Sequence, residues 1–313
     1  MAATSMTCRC ARSPPFCSAS STPESVAYAD VNGTRIAWQQ MGSGPNLVLV
    51  HGLAASRAFW FAHAMQLRAH YTVTLFDLPG HGYSARPDSG YDSASLGRLV
   101  LGLMDTLQIA DAILVGHSYG GAACIEAAVQ APQRVNGLAL LDVRSLRIQP
   151  TMRMGDVAQF TPFETEIAAD TRVDWAQETQ AGVRFLEMAA RHRVEGRLSR
   201  AGDPVIPFAE GRGALKGARQ WLALLDETDA RSGFNLPGAT LDELRHIARP
   251  CLLMYADHSR CLATGEALHR LWPHSRYELI EDAGHFFPMT HAGHVTQSLM
   301  NWAANVDSMR VPQ

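Results

Sequence analysis

Three short apolar runs in the first half of the chain constrain its fold more than any other feature of the sequence. They are residues 47–50, 73–76 and 113–115, and none of them alternates apolar with polar residues. Such continuous runs are typical of strands buried on both faces, as in a parallel sheet covered by helices. Between them, leucine and valine recur in residues 95–107 at spacings of three and four, which predicts an amphipathic helix. Alternating strands and helices predict a doubly wound α/β sheet.

Further strand patterns extend this mostly parallel sheet to about eight strands. Two of them flank the dipeptide Asn32-Gly33, which is a strong signal for a β-hairpin. The others are short apolar runs in the later part of the chain. The five added strands are expected at residues 26–31, 34–41, 138–141, 251–255 and 277–280.

The middle of the chain lacks such strand patterns. No buried-strand run occurs from residue 144 to about 249, and helical patches are predicted there around residues 175–190 and 214–225. We therefore expect an α/β core formed by residues 25–143 and 250–307. An inserted helical cap is expected at residues 144–249.

Charge and cysteine content exclude several classes of protein. The formal net charge is only −3, so no strong field of one sign is present to hold a polyanion, and we expect no nucleic acid partner. No run of about 18 apolar residues occurs, so no membrane span is predicted. The six cysteines are scattered and match neither a disulfide scaffold nor a zinc motif, so no metal is expected. The oligomeric state is left open.

Residues 1–24 differ in composition from the rest of the chain. They contain Arg9 and Arg12, eight serines and threonines, and no acid before Glu24. This composition is similar to that of an organelle transit peptide, but no amphipathic pattern accompanies it. A disordered extension or a misassigned start codon is the alternative. We expect a cytoplasmic protein, with organelle targeting by this segment left open.

The first candidate for chemistry lies where a strand, a tight turn and a helix follow one another. The strand ending at residue 115 leads into Gly116–Gly120, which reads Gly-His-Ser-Tyr-Gly and matches the Gly-x-Ser-x-Gly pattern. A serine on so tight a turn needs glycine neighbours, because a Cβ atom there would clash. Its hydroxyl stands clear of the sheet, and the amides of the new helix point at a reacting oxygen. This context predicts Ser118 as a nucleophile, with a structural turn as the alternative.

With this motif in place, the chain from Tyr28 to Trp302 resembles the α/β-hydrolase fold superfamily. Within that superfamily it is similar to the group of lipases, esterases and C–C hydrolases. The resemblance implies that His285 is the catalytic histidine and that the backbone amides of Leu53 and Tyr119 form the oxyanion hole. It implies structural roles for His51, His81 and His117. Three motifs besides that of Ser118 carry the resemblance: His51-Gly52-Leu53, the turn Asp77-x-x-Gly80-x-Gly82-x-Ser84, and Ala283-Gly284-His285-Phe286-Phe287.

The acid that would complete a triad is where the sequence departs from the family. The family pattern after the strand ending at Tyr255 is Gly-x-x-Asp, but residues 256–259 read Ala-Asp-His-Ser. A serine at the last of these positions cannot stabilise an imidazolium ion by its charge. Asp142, at the end of the preceding strand, is the predicted acid, and Asp257, on the loop itself, is the alternative. Some members of the family take their acid from the position of Asp142, and a site without a carboxylate is the third possibility.

Together these residues predict an enzyme that hydrolyses an ester, thioester, lactone or related acyl bond. Ser118 would form an acyl-enzyme and His285 would transfer the protons, so no cofactor would be needed. The expected partner is a small acyl substrate, which the cap would bind in part. The aromatic residues of the cap either line this binding pocket or form the cap's own core. These residues are Phe160, Phe163, Trp175, Phe185, Phe208 and Trp221. The same fold could instead serve as a hydroxynitrile lyase, a cofactor-free dioxygenase or a ligand-binding receptor.

Overall fold

An eight-stranded sheet forms the centre of the protein in this computed structural model, which describes residues 26–157, 159–198, 207–208 and 213–308. The strands are β1 (Ala27–Val31), β2 (Thr34–Met41), β3 (Asn46–Val50), β4 (Thr72–Phe76), β5 (Ala112–His117), β6 (Val135–Leu141), β7 (Cys251–Ala256) and β8 (Arg276–Ile280). Their spatial order is β1-β2-β4-β3-β5-β6-β7-β8. Strand β2 is antiparallel to both of its neighbours, and all other pairs in this sheet are parallel. The predicted fold class and all eight predicted strands are confirmed.

Helices cover both faces of the sheet, which explains why the central strands are apolar without alternation. The helices of this core are α1 (Phe61–Leu67), α2 (Ser93–Thr106), α3 (Tyr119–Gln130), α9 (Leu262–Leu271), α10 (Phe287–Thr290) and α11 (Ala292–Ser308), with short 3-10 helices at Arg57–Trp60 and Pro132–Arg134. On one face, α2 and α3 pack on residues such as Val48 and Leu114. On the other face, α1 and α11 pack on residues such as Leu47 and Val115.

The described residues between β6 and β7 include five helices joined by turns and loops. These helices are α4 (Pro162–Ala168), α5 (Ala181–Val194), α6 (Ala214–Glu227), α7 (Ala230–Gly233) and α8 (Leu241–Arg245). The helix predicted at 175–190 begins six residues late, at Ala181. The carboxylate of Asp174 accepts the N–H groups of Ala176 and Gln177, and this local turn competes with helix formation. That residues 144–249 form a cap on an α/β core remains a prediction.

The described part of the chain contains no helix long and apolar enough to cross a membrane. Residues 1–24, for which targeting or disorder was predicted, lie outside the described residues.

Candidate active site

Ser118 lies at the turn between β5 and α3, above the centre of the sheet. Its backbone has φ +54° and ψ −128°, a conformation that is unusual for any residue except glycine. The N–H of Ser118 donates to the carbonyl of Leu141, 2.9 Å away on β6. A Cβ atom at Gly116 would lie 2.4 Å from the Cα of Gly121, so this turn requires glycine beside the strand. The Gly-x-Ser-x-Gly sequence therefore adopts the predicted tight turn.

The loop after β8 brings His285 into hydrogen-bonding distance of both Ser118 and Asp142. His285 Nε2 lies 3.0 Å from Ser118 Oγ, and His285 Nδ1 lies 2.6 Å from Asp142 Oδ2. The side chain of Asp142 is fully buried at the end of β6, whereas that of His285 is 33% exposed. Both distances fall within the normal range for hydrogen bonds. A hydroxyl, an imidazole and a carboxylate thus form one continuous chain of hydrogen bonds.

Ser259, which occupies the position where the family pattern has its aspartate, supports the carboxylate of Asp142. Its hydroxyl donates to Asp142 Oδ2 at 2.5 Å, and the N–H of Ala256 donates to Asp142 Oδ1 at 3.2 Å. The N–H of Cys261 in turn donates to Ser259 Oγ at 2.9 Å. The loop after β7 therefore supplies hydrogen bonds to a carboxylate that comes from β6. The sequence marked Ser259 as a departure from the family but gave no signal of this supporting contact.

Asp257, the other predicted candidate for the acid, is engaged elsewhere. Its carboxylate accepts the N–H groups of Asp282 and Ala283, at 2.9 and 3.0 Å. Burial opposes the charge on Asp257, but these amides hold the pKa of its carboxyl below the usual value. The structure thus brings Asp142 to His285 and places Asp257 at the base of the loop that carries His285.

Two acidic or weakly acidic side chains control the charge state of His285. Burial alone would lower the pKa of His285, but the hydrogen bonds and charges of Asp142 and Cys261 outweigh it and raise that pKa. When Nδ1–H of the neutral imidazole is held by the buried carboxylate, Nε2 is free to receive a proton from the neighbouring hydroxyl, and the carboxylate stabilises the imidazolium that forms. The arrangement is chemically suited to general base catalysis.

His117 supports the loop that carries His285 through a hydrogen bond to its backbone. Burial and the nearby charge of His285 lower the pKa of His117 well below its usual value, so the imidazole is neutral. Its Nε2 lies 2.9 Å from the backbone carbonyl of His285, to which it can donate only in the Nε2–H tautomer. The rings of His117 and Phe59 are stacked with their centroids 4.7 Å apart. These contacts give His117 a structural role in holding the loop of His285.

Leu53 and Tyr119, whose amides are predicted to form an oxyanion hole, line the same cavity as Ser118. Tyr119 is the first residue of α3, so its N–H has no acceptor within the helix. Leu53 lies in the turn after β3, and the next amide in this turn, that of Ala54, donates to Nε2 of His81 at 3.1 Å. His51 packs against His81 with ring centroids 5.4 Å apart. Both histidines thus lie against the turn that carries Leu53, and the oxyanion role itself remains a prediction.

A cavity of about 610 Å³ opens above Ser118 and His285. This volume lies in the range of small-molecule binding sites. Of the six aromatic residues singled out between β6 and β7, Phe160 and Phe185 line the cavity. Phe163, Phe208 and Trp221 are buried in an apolar cluster formed mostly by the inserted segment, and Trp175 and Phe185 pack against it. Both alternatives are therefore realised, and Phe185 takes part in both.

Charged side chains that the sequence did not single out also line this cavity, among them Glu126 and Arg144. Glu126 on α3 is buried, and its Oε1 accepts the hydroxyl of Ser93 and the N–H of Ala239. Arg144 donates to uncharged acceptors, which include the carbonyl of Gln149. Neither residue belongs to a recognisable motif, so only the packing of the inserted segment over the sheet identifies them as cavity residues.

The sheet topology, with a serine at the tight turn between β5 and α3, is that of the α/β-hydrolase fold. Residues 45–292 match the family model described as alpha/beta hydrolase fold, and the chain belongs to that family. The predicted resemblance is confirmed.

Among curated relatives, the chain is 30% identical to the pimeloyl-[acyl-carrier protein] methyl ester esterase of Xanthomonas oryzae pv. oryzae over 271 residues, which cover 85% of this chain and 98% of that protein. It is 43% identical over 115 residues to a dihydrolipoyllysine-residue acetyltransferase component of the acetoin cleaving system from Pseudomonas putida. That match covers 36% of this chain and only 31% of the relative. Among solved structures, the carboxylesterase CesB of Bacillus subtilis matches with a TM-score of 0.64 at 20% identity, over 90% of this chain and 92% of that one.

Proposed function

We propose that the protein is a serine hydrolase that cleaves an ester-type bond of a small acyl substrate through an acyl-enzyme on Ser118. The observation that carries this proposal is the unbroken chain of hydrogen bonds from Ser118 Oγ through His285 to Asp142. Membership of the hydrolase family and a full-length relative that is an esterase support the reaction class. Asp142 is the proposed acid, and Asp257 is assigned to loop structure.

The proposed reaction begins when Ser118 Oγ attacks the carbonyl carbon and His285 Nε2 accepts the hydroxyl proton. Asp142 holds the Nδ1–H of His285 and stabilises the imidazolium. The amides of Leu53 and Tyr119 donate to the oxyanion, where the loss of one donor typically costs about 3 kcal/mol. The tetrahedral intermediate then collapses, and His285 gives its proton to the leaving alcohol. A water molecule, deprotonated by His285, attacks the acyl-enzyme and restores Ser118.

The contact between Ser118 and His285 also favours acyl transfer over two of the alternatives, a cofactor-free dioxygenase and a ligand-binding receptor. A cofactor-free dioxygenase or a receptor needs no hydrogen bond between a serine and the base, whereas acyl transfer requires one. A serine at this position, in place of an aspartate, also disfavours the dehalogenase and epoxide hydrolase reactions, which alkylate a carboxylate. The apolar walls formed by residues such as Phe185 and Leu186 suit an uncharged acyl or alcohol group.

A fluorophosphonate probe tests the proposal directly, together with the release of nitrophenol from nitrophenyl acetate. We expect the protein to show a burst of nitrophenol and to be labelled at Ser118. Ser118→Ala should abolish both signals and leave the melting temperature within about 2 °C, since no buried partner of the hydroxyl besides His285 is lost. Ser308→Ala, at the exposed end of α11, is the matched control and should label normally. Turnover that persists in Ser118→Ala would refute the acyl-enzyme.

A further inference from the structure

Cys261 lies beside the proposed triad, and the proposed reaction gives it no role. Its side chain is 3% exposed and borders the cavity above Ser118. It is a free thiol at the residue that precedes α9. One ligand atom from each of Asp142, Cys261 and His285 lies within 4.8 Å of the others. The loop after β7 thus adds a sulfur atom to an oxygen and a nitrogen that already face each other.

Sulfur, imidazole nitrogen and carboxylate oxygen are the three kinds of ligand that zinc prefers in proteins. Bond lengths of about 2.0 to 2.3 Å place the ligands of a tetrahedral zinc ion roughly 3.3 to 3.8 Å apart. A cluster with separations of up to 4.8 Å closes to this size through shifts of about 1 Å, and the 2.6 Å contact between His285 Nδ1 and Asp142 Oδ2 opens by a similar amount. A thiolate and a carboxylate neutralise the dication, as a buried site requires.

We propose that Asp142, Cys261 and His285 form a binding site for zinc, or a similar thiophilic divalent cation, and that its occupation inhibits the hydrolase. The metal would bind His285 Nδ1, because that nitrogen faces Asp142 while Nε2 faces Ser118. A neutral imidazole that binds a metal through Nδ1 carries its proton on Nε2. Nε2–H donates to Ser118 and cannot accept its proton, so nucleophile activation stops. The inhibition, but not the metal site itself, rests on the proposed function.

The test uses the full chain with Cys8, Cys10 and Cys17 replaced by serine, so that thiols outside the described residues do not bind the metal. In this parent protein Co²⁺ serves as the spectroscopic probe, because a thiolate ligand gives it a charge-transfer absorption band in the near ultraviolet. We expect one Co²⁺ per chain with this band, and we expect zinc to displace it. Cys261→Ala should lose the band, and Cys124→Ala, which removes another buried thiol, should keep it.

Ser118→Ala in the same parent separates the two proposals, because it lacks the nucleophile but retains all three metal ligands. It should bind Co²⁺ with the band of the parent. The activity assay measures the zinc concentration that halves the rate of each variant relative to its own rate without zinc. This concentration should be at least tenfold higher for Cys261→Ala than for the parent protein, and a chelator should restore the rate. Equal zinc sensitivity of Cys261→Ala and the parent, or the absence of a thiolate band in the parent, would overturn the metal site whatever the esterase assay shows.

Discussion

Replacement of Asp142 by asparagine should lower turnover by about four orders of magnitude. In the structure, Asp142 Oδ2 accepts from His285 Nδ1 and Ser259 Oγ, while Oδ1 accepts the N–H of Ala256. If the amide oxygen of asparagine keeps the Ala256 bond, its NH₂ group faces His285 and forces the ring proton onto Nε2. A comparable exchange in a serine protease lowers kcat by about 10⁴. At 1.36 kcal/mol per factor of ten, this amounts to about 5.5 kcal/mol of barrier.

A carboxylate introduced at Ser259 tests the role of Asp142 by gain of a charge, where Asp142→Asn tests it by loss. In the native protein, Ser259→Asp places a second carboxylate where a hydroxyl now lies 2.5 Å from Asp142 Oδ2, so both stability and activity should fall. In Asp142→Asn, the same change supplies a carboxylate beside His285 and should restore the rate at least tenfold. The two substitutions are in contact, so their effects should be far from additive.

The rate of the nitrophenol burst measures acylation directly, and circular dichroism checks that each variant is folded. Asp257→Asn is the matched control, and its rate should stay within about fivefold of the native rate, because the asparagine oxygen can still accept one of the two loop amides. If Asp257→Asn loses a thousandfold while Asp142→Asn retains a tenth of the native rate, the acid is Asp257, on the loop after β7, and Asp142 has no part in catalysis.

Two further substitutions probe stability. Burial raises the pKa of Glu126. At pH values above the ordinary pKa of 4.5, the charge on this carboxylate therefore destabilises the folded state. Glu126→Gln should therefore raise the melting temperature at pH 8, and the gain should vanish as the pH falls below 4.5, where the native carboxyl is neutral in both states. An unchanged difference across this range would contradict the burial effect. Gly82 has φ +54°, and a Cβ atom there would lie 2.3 Å from the carboxyl carbon of Asp77, so Gly82→Ala should cost about 3 kcal/mol in urea unfolding. A cost below about 1 kcal/mol would show that this turn relaxes.

The central strands were predictable because burial on both faces leaves a direct trace in the sequence. Runs such as residues 47–50 and 138–141 have no polar residue, and the structure places them in β3 and β6 with helices on each side. The start of α5 was predicted less well, because the apolar pattern continues through a turn that the Asp174 side chain organises. A local hydrogen bond of this kind leaves no periodic signal.

The candidate acid was not decidable from the sequence, for a geometric reason. Asp142 and Asp257 both follow strands whose carboxyl ends meet at the same edge of the sheet. The outcome depends on the pairing of β6 with β7, in which Leu141 lies beside Met254, and on the course of the loop that follows. This course turns Ser259 toward Asp142 and points the carboxylate of Asp257 at the loop of residues 282–283. Pairing register and loop direction arise from the whole fold and are not encoded in any short motif.

The hydrogen bond from the N–H of Ser118 to the carbonyl of Leu141 has a mechanical consequence. It joins the ends of two central parallel strands, so the backbone separation between Ser118 and the residue after Leu141, Asp142, is set by the hydrogen-bonded sheet. His285 comes from the loop after β8. A backbone fluctuation that interrupts the proton path without opening the sheet therefore takes place in the loop that carries His285.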